Sequence, residues 1–346
     1  MARIVIAGCG SVGACIGYHL ALLGARDVVL ADRAGIASGS TGKAMGGIRQ
    51  QFSTAAEVRL ARESIAFFEE LGSSWFQQVG YLFLATTPEG LAELEARREL
   101  QAKLGVPVER VAPRFVAGLN VDDVLGAVFC ATDGVADPPA LTREIVRRAA
   151  ELGVDVRQHT DARDLERDVL VIAAGAHSSE FGVELPIRPL ARQLLETEPI
   201  RDLPPDLPMV IEAETGFHFR RRDDCLRIAM PDAEPRWGFE ETVDEAVFAD
   251  RLERLAHRYP PAAEAGIAHA WAGLYDMTPD AHPIIGPVAD GLYAACGFSG
   301  HGFMQSPAVG RAVAAELLRG EPDLDLTPYR LERFDGDARF PEALVL

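Results

Sequence analysis

Lysine is almost missing from this chain. Only Lys43 and Lys103 occur among 34 basic residues, so few sites can use an ammonium group. Positive charge as a whole is short: 34 basic against 52 acidic residues leave a net charge of −18, which argues against nucleic acid or an anionic membrane surface as partner. Cysteine is scarce, and its five positions (Cys9, Cys15, Cys130, Cys225, Cys296) are widely spaced without a CxxC pair. Reduced thiols in a cytoplasmic protein fit that pattern better than a disulfide framework. The eight histidines show no HxxxH or Cys/His spacing, so no metal is expected. No apolar run approaches the roughly 18 residues that span a bilayer, and no signal-peptide pattern precedes the first strand. A soluble chain is the expectation.

Apolar residues, at 48% of 346, are plentiful enough for sizeable cores in about two domains. The most informative stretch comes first. Ile4-Val5-Ile6 reads as a buried strand running into Gly8-Cys9-Gly10-Ser11-Val12-Gly13, and a helix follows with Val12, Ile16, Leu20 and Leu23 on one side. A second strand, Val28 to Ala31, delivers Asp32. Glycines at these spacings allow a tight turn, close approach of a pyrophosphate and packing of the helix on the sheet, while an acid at the second strand end accepts hydrogen bonds from ribose hydroxyls. Asp32 would repel a 2′-phosphate. The motif therefore points to the ADP half of a dinucleotide, the alternative being a glycine-rich turn in another α/β protein.

Farther on, a polar glycine-rich loop (Ser38 to Gln51) precedes a long helix, Thr54 to Leu71. Residues 80 to 130 read as strand, charged helix (Pro88 to Leu104) and strand. Asp133-Gly134 reads as a turn, and Pro138 and Pro139 open a helix to Leu152. The run Asp168 to Ala176 is an apolar strand ending in small residues, as in a parallel sheet buried on both faces. From Pro186 to about Ala270 the strands alternate, interrupted by one helix, Val243 to Arg258, which suggests an antiparallel sheet. The expected fold class is α/β: a Rossmann-like nucleotide-binding domain (1–75, 131–185 and 271–346) interleaved with an α+β, antiparallel-sheet substrate domain (76–130 and 186–270).

Near the C-terminus, Cys296-Gly297-Phe298-Ser299-Gly300-His301-Gly302-Phe303-Met304-Gln305-Ser306-Pro307 leads from a strand into a final helix. Ser306 suits the N-cap and Pro307 the first helical position. Unpaired N–H groups there need an anion or a developing one, and a flavin accepting hydride develops negative charge at N1–C2=O. An ordinary strand–turn–helix is the plainer alternative. The loop Gly39 to Phe52 is not a P-loop: Ala37 replaces the first glycine of GxxxxGK, and Ala44 replaces the magnesium-binding Ser/Thr. It fits a second clamp on the cofactor, with Ser40, Thr41 and Lys43 near pyrophosphate or isoalloxazine and Arg49 reaching the substrate; a solvated loop is the alternative. GFSGH is not a GxSxG elbow, which disfavours a serine hydrolase.

The glycine fingerprint, GSTGKAMGGIRQQF, Leu170 to Ser178, WAGLYDMTPDAHPIIGP and CGFSGHGFMQSP, in this order over nearly the whole chain, resemble the D-amino-acid-oxidase-like superfamily of FAD enzymes. Its members include sarcosine oxidases, glycine oxidases, dimethylglycine dehydrogenases and the β subunits of proline dehydrogenase. The resemblance implies extended FAD and oxidation of a C–N bond to an imine that water hydrolyses. It implies cofactor contacts from Gly8, Gly10, Ser11, Val12, Gly13, Asp32 and Arg33, and from Ser40, Thr41, Lys43, Ala44, Met45 and Gly46. Ala174 and Gly175, then Gly300, His301, Gly302, Phe303 and Met304, complete that set.

In the sarcosine-oxidase branch an Arg at the position of Arg49 holds the substrate carboxylate, and a Lys that assists it there falls at Met304. The carboxylate Arg of glycine oxidases falls at Tyr275. Covalent anchors of related enzymes fall at Gly273 (a Cys) and near Gly42 or Lys43 (a His), so FAD is expected to be non-covalent. A Lys credited with oxygen activation aligns with Arg227, which puts fast reaction with oxygen in doubt. The expectation is an FAD-dependent oxidoreductase for a small secondary or N-methyl amino acid, with Arg49 on the carboxylate. His301, Tyr275, His218 and His269 are candidates for the amine. The electron acceptor is oxygen, or else a protein or quinone reached through a partner subunit. A nucleotide-binding protein without turnover is the third reading.

Overall fold

The computed structural model describes residues 2–336, 341–343 and 345; the remaining positions of the expected segments 1–75 and 271–346 lie outside the described residues. The chain begins β1 (Ile4–Ala7), α1 (Ser11–Leu22), β2 (Val28–Ala31), α2 (Ser40–Lys43), β3 (Gly47–Ile48), α3 (Ala55–Leu71), β4 (Tyr81–Ala85), α4 (Pro88–Lys103). It continues β5 (Val108–Val111), β6 (Gly126–Cys130), β7 (Gly134–Val135), α5 (Pro138–Glu151), β8 (Asp155–Arg157), β9 (Val169–Ile172), β10 (Arg188–Thr197), β11 (Met209–Glu212). Then follow β12 (His218–Arg222), β13 (Cys225–Ala229), β14 (Arg236–Trp237), α6 (Phe248–Arg258), β15 (Ile267–Met277), β16 (Ile284–Ala289), β17 (Leu292–Cys296) and α7 (Gly302–Arg319).

One sheet has the order β16-β17-β9-β1-β2-β8. β1 runs parallel to β2 and β9, and β17 is parallel to β9. Every residue of β1 and β2 is buried, which is why both read as unbroken apolar runs. The carboxyl ends of β2, β1, β9 and β17 therefore lie side by side, and they deliver Asp32, Gly8, Ala173 and Gly297. From β1 the chain crosses to β2 on one side while β9 arrives on the other; such a switch point opens a crevice for ligand.

A second sheet of nine strands runs β14-β10-β13-β12-β11-β4-β6-β5, with β15 also along β10. It is antiparallel as expected except for β4 and β11, which pair in parallel because the chain between them travels through the first sheet. β15 hydrogen-bonds to β10 from Thr197 to Arg188 and so runs through the expected boundary at 270/271.

Several local expectations shift. Leu23 is 38% exposed, because α1 ends at Leu22 and Leu23 is its C-cap. The turn near 133 falls at Ala131 and Thr132, and Gly134 already belongs to β7. The strand after Asp168 stops at Ile172, and a 3-10 turn spans Gly175–Phe181. α6 starts at Phe248, after a 3-10 turn capped by Asp244.

The largest shift concerns α7, which begins at Gly302 and carries Pro307 inside. Pro307 has no N–H for the Phe303 carbonyl; the Ser306 hydroxyl donates to that oxygen instead, at 2.9 Å. Ser306 is thus a repair within the helix, not its cap.

α1 packs against α7 and α5. A Cβ on Gly310 of α7 would lie 2.6 Å from the Cys15 backbone carbonyl carbon on α1. Gly310→Val should therefore force the helices apart at about 1–3 kcal/mol. The readout is a lower thermal-unfolding midpoint; an unchanged midpoint would show that the helices have room to spare.

Candidate active site

At the carboxyl ends of the parallel strands a cavity of about 390 Å³ opens and runs on to the walls formed by β10, β11, β12 and β15. At its near end, Gly8 (φ +114°) and Gly13 are glycine for reasons internal to the protein. A Cβ on Gly8 would meet the Ala173 carbonyl oxygen at 2.3 Å, and one on Gly13 would meet the Gly8 oxygen at 1.9 Å. Gly10 is different. Its φ of −75° suits any residue, and a Cβ there would approach only Thr41 Oγ1, at 3.2 Å. Nothing lies within 4 Å of a Cβ on Gly39 or Gly175. Gly175 also needs its positive φ of +53°, but Gly10 and Gly39 clear the cavity wall for something other than protein.

The α1 N-terminus has no side-chain cap, although Thr41 Oγ1 accepts from Ser11 N–H at 3.1 Å. The Asp32 carboxylate lies beside this turn and accepts from Cys9 and Ala34 N–H, both at 2.8 Å. Part of the clamp loop winds into α2. Ser40 Oγ donates to the Leu274 carbonyl at 2.6 Å, and Trp271 Nε1 donates to the Lys43 carbonyl at 2.9 Å, which fixes α2 against β15. Lys43 pairs with Glu241, and Phe239 stacks on His177 at 4.9 Å. The segment from 239 to 241 thereby bridges two rims of the cavity.

The α7 N-terminus opens into the same cavity, again with no side-chain cap. Its first turn is held from behind by Glu57, which is fully buried and accepts from Gln305 Nε2 while His282 Nδ1 lies 2.8 Å away. Arg49 sits at this end, 1% exposed. Its Nη1 donates to the Gln51 carbonyl, and its guanidinium lies 4.0 Å over the Phe52 ring. Arg49 Nη2 is 3.2 Å from His301 Nε2. A guanidinium only donates, so His301 Nε2 is the acceptor in this contact. Burial lowers the Arg49 pKa from its ordinary value, against the opposing pull of Glu342, Tyr81, Asp133 and Glu57.

His218 Nδ1 lies 2.8 Å from the Gly216 carbonyl; burial, then Arg49 and Arg192, push this imidazole down to about 4, so it is neutral at pH 7. Tyr275 completes the wall, its phenol raised by burial.

Most of the expected residues meet here: Gly8, Gly10, Ser11, Val12 and Asp32, then Ser40 through Gly46 except Gly42, and Arg49 all line the cavity, with Ala174, Gly175, Tyr275 and Gly300 through Met304. Four do not. Gly13 lies under the turn; Arg33 reaches outward to Glu180 at 2.7 Å; His269 is exposed. Arg227 is off the wall, 2.8 Å from Glu196 and over Trp271, because its strand position faces that pair. Sequence reasoning missed Tyr81 and Arg192, which line the cavity from β4 and β10. Tyr81 hides in an apolar strand; Arg192 was legible only as a charge inside a mostly apolar run.

Residues 3–316 match the family described as FAD dependent oxidoreductase, DAO. The chain belongs to this family. Its cofactor is FAD, and it is an enzyme. Mitochondrial sarcosine dehydrogenase of Mus musculus is 28% identical, the alignment covering 96% of this chain and 41% of that protein. The chain thus spans less than half the length of that relative. Glycine oxidase of Geobacillus kaustophilus is 26% identical, with 96% and 97% covered. The crystal structure of L-proline dehydrogenase from P. horikoshii superposes with a TM-score of 0.89 at 28% identity, covering 96% of this chain and 98% of that one.

The cavity fits FAD. Two helix N-termini without side-chain caps suit its anionic pyrophosphate and the electron-rich edge of its ring, and Asp32 suits its ribose.

Gly10→Ala separates the cofactor's needs from the protein's: FAD affinity should fall at least about tenfold, with little change in apoprotein stability. Fluorescence titration with FAD and thermal unfolding measure the two, and equal affinity would place the pyrophosphate elsewhere. A second test concerns Asp133, fully buried, whose carboxylate accepts from Gln50 N–H at 2.8 Å and Gln51 Nε2 at 3.0 Å and so anchors the segment after Arg49. Burial lifts this carboxyl from 3.8 to about 6, so the folded chain binds the proton more tightly than the unfolded chain. Its contribution to stability is full below 3.8 and is lost as pH rises through 6. Asp133→Asn should remove that fall, seen as a smaller loss of unfolding free energy than in the parent between these pH values.

Proposed function

We propose that this protein oxidises the C–N bond of a small amino acid with a secondary or N-methyl amine. Bound FAD supplies the two-electron acceptor for hydride leaving the carbon next to nitrogen. The observation that carries the reading is Arg49: a buried guanidinium, held rigid by Gln51, Phe52 and His301, beside the α7 N-terminus. Pairing with a carboxylate contributes about 1.5–3 kcal/mol, enough to fix which carbon faces the acceptor. An amine releases hydride only when neutral. The buried Arg49 guanidinium beside the amine disfavours an ammonium and so helps strip its proton. His218 is neutral and commits Nδ1 to Gly216; the acceptor it offers an amine N–H is Nε2. Water hydrolyses the resulting iminium after release.

The names of the relatives, sarcosine dehydrogenase, glycine oxidase and L-proline dehydrogenase, support an amino-acid substrate. Non-covalent FAD is supported by Gly273 on the cavity wall, where a covalently linked relative carries cysteine, and among the described residues no cysteine lines the cavity. Lys43, the one lysine among the described residues of the cavity wall, is paired with Glu241, which favours an acceptor other than oxygen. Arg227, expected from the resemblance at the position of an oxygen-activating lysine, is instead bound to Glu196 away from the cavity.

Anaerobic addition of sarcosine, proline and related amino acids should bleach the flavin of the purified yellow protein, and acid should release FAD intact. Arg49→Lys should raise KM about tenfold or more, with a smaller effect on kcat. No bleaching by any amino acid with a free carboxylate would reject the reading. Reoxidation of the reduced enzyme in air should take minutes rather than seconds.

A further inference from the structure

We propose that the substrate is an amino diacid, with a carboxylate on each side of the amine, and that Arg192 binds the second carboxylate. The inference rests on the amino-acid reading above and specifies its substrate class.

Arg192 lies on β10 opposite Gly273 of β15, and its guanidinium carbon is 5.8 Å from the centre of the Tyr275 ring. Tyr275 in turn packs so closely on Gly300 that a Cβ there would sit 2.3 Å from the ring. Arg49 reaches the neighbouring residue, His301. Two guanidiniums thus adjoin one corner of the cavity, the first through His301 and the second through Tyr275.

Arg49 has protein partners around it. Arg192 Nε is buried with no hydrogen-bond partner among the described residues. The acids on the cavity wall are committed elsewhere: Asp32 to Cys9 and Ala34 N–H, Glu241 to Lys43, and Asp276 to Gly297 N–H at 2.7 Å. Tyr81 and Tyr275 are kept protonated by burial, and His218 is neutral, so among the described residues no uncommitted anion on this wall offsets the second cation.

A charge held in such a place costs free energy until a counter-charge arrives. An amino acid with a neutral amine brings one negative charge per carboxylate. One carboxylate answers Arg49 and leaves the buried Arg192 Nε without a partner. Two answer both, and the C–N bond then lies between the guanidiniums.

The test uses two matched pairs on the FAD-loaded enzyme. Thiodiacetate and (methylthio)acetate lack an oxidisable amine and report binding through the flavin spectrum; iminodiacetate and sarcosine report turnover with an artificial electron acceptor. The diacid of each pair should bind at least about tenfold tighter. Arg192→Gln should abolish that preference by weakening the diacid while leaving the monoacid within about threefold, in KM more than in kcat. Arg192→Lys should retain part of it.

Equal binding of diacid and monoacid by the parent enzyme would overturn the proposal, and needs no variant. Equal weakening of both by Arg192→Gln would overturn it too, showing that Arg192 shares a single carboxylate with Arg49. Flavin bleached by monoacids without any diacid preference removes this inference alone. An Arg192-dependent preference for thiodiacetate without bleaching by any amine removes the oxidation and keeps the diacid site.

Discussion

The backbones of α1 and α7 touch at Cys15 and Gly310, and everything at the site depends on that contact. Cys15 Sγ also donates to Ser306 Oγ at 3.5 Å, joining positions 291 apart in sequence. Because the two helices leave parallel strands, β1 and β17, on either side of β9 and lie against each other, their N-termini open into one cavity. Each brings backbone N–H groups that its own N-cap side chain does not satisfy and the positive end of its dipole. A long ligand with an anionic middle and an electron-accepting ring answers both ends at once.

The reacting end obeys the opposite economy. There the positive charge comes from side chains, and the neighbours stay neutral: burial keeps His218 deprotonated and Tyr81 and Tyr275 protonated. The supports behind it are polar and satisfied. Asp133 binds the amides of Gln50 and Gln51, and Glu57 ties α3 to the head of α7 through Gln305. Such buried networks specify geometry more than they add stability. They hold Arg49 where a flexible surface arginine would lose the orientation of its ligand.

What was readable in advance was local. Gly8, Gly10, Gly13 and Asp32 belong to one strand–turn–helix–strand unit, whose spacing is set by covalent chain length and backbone sterics. The α7 start was misread because Ser306 and Pro307 obey capping preferences that the real helix overrides; a hydroxyl taking up the Phe303 carbonyl makes an interior proline tolerable. Arg227 and Arg192 look alike as arginines on strands of one sheet. One finds Glu196 and the other faces the cavity, a difference made by strand register.

The sequence alone determined the nucleotide turn with Asp32 beside it, and put forward the glycine-rich clamp and Arg49 as candidates, since each depends on residues close along the chain. Only the tertiary structure decided that α7 opens five residues before its proline, that Arg33, Arg227 and His269 stand apart, and that Tyr81 and Arg192 join the wall. Those outcomes depend on which strands pair and in what register, and on where buried charges find partners. No short stretch of sequence contains both members of such a pair.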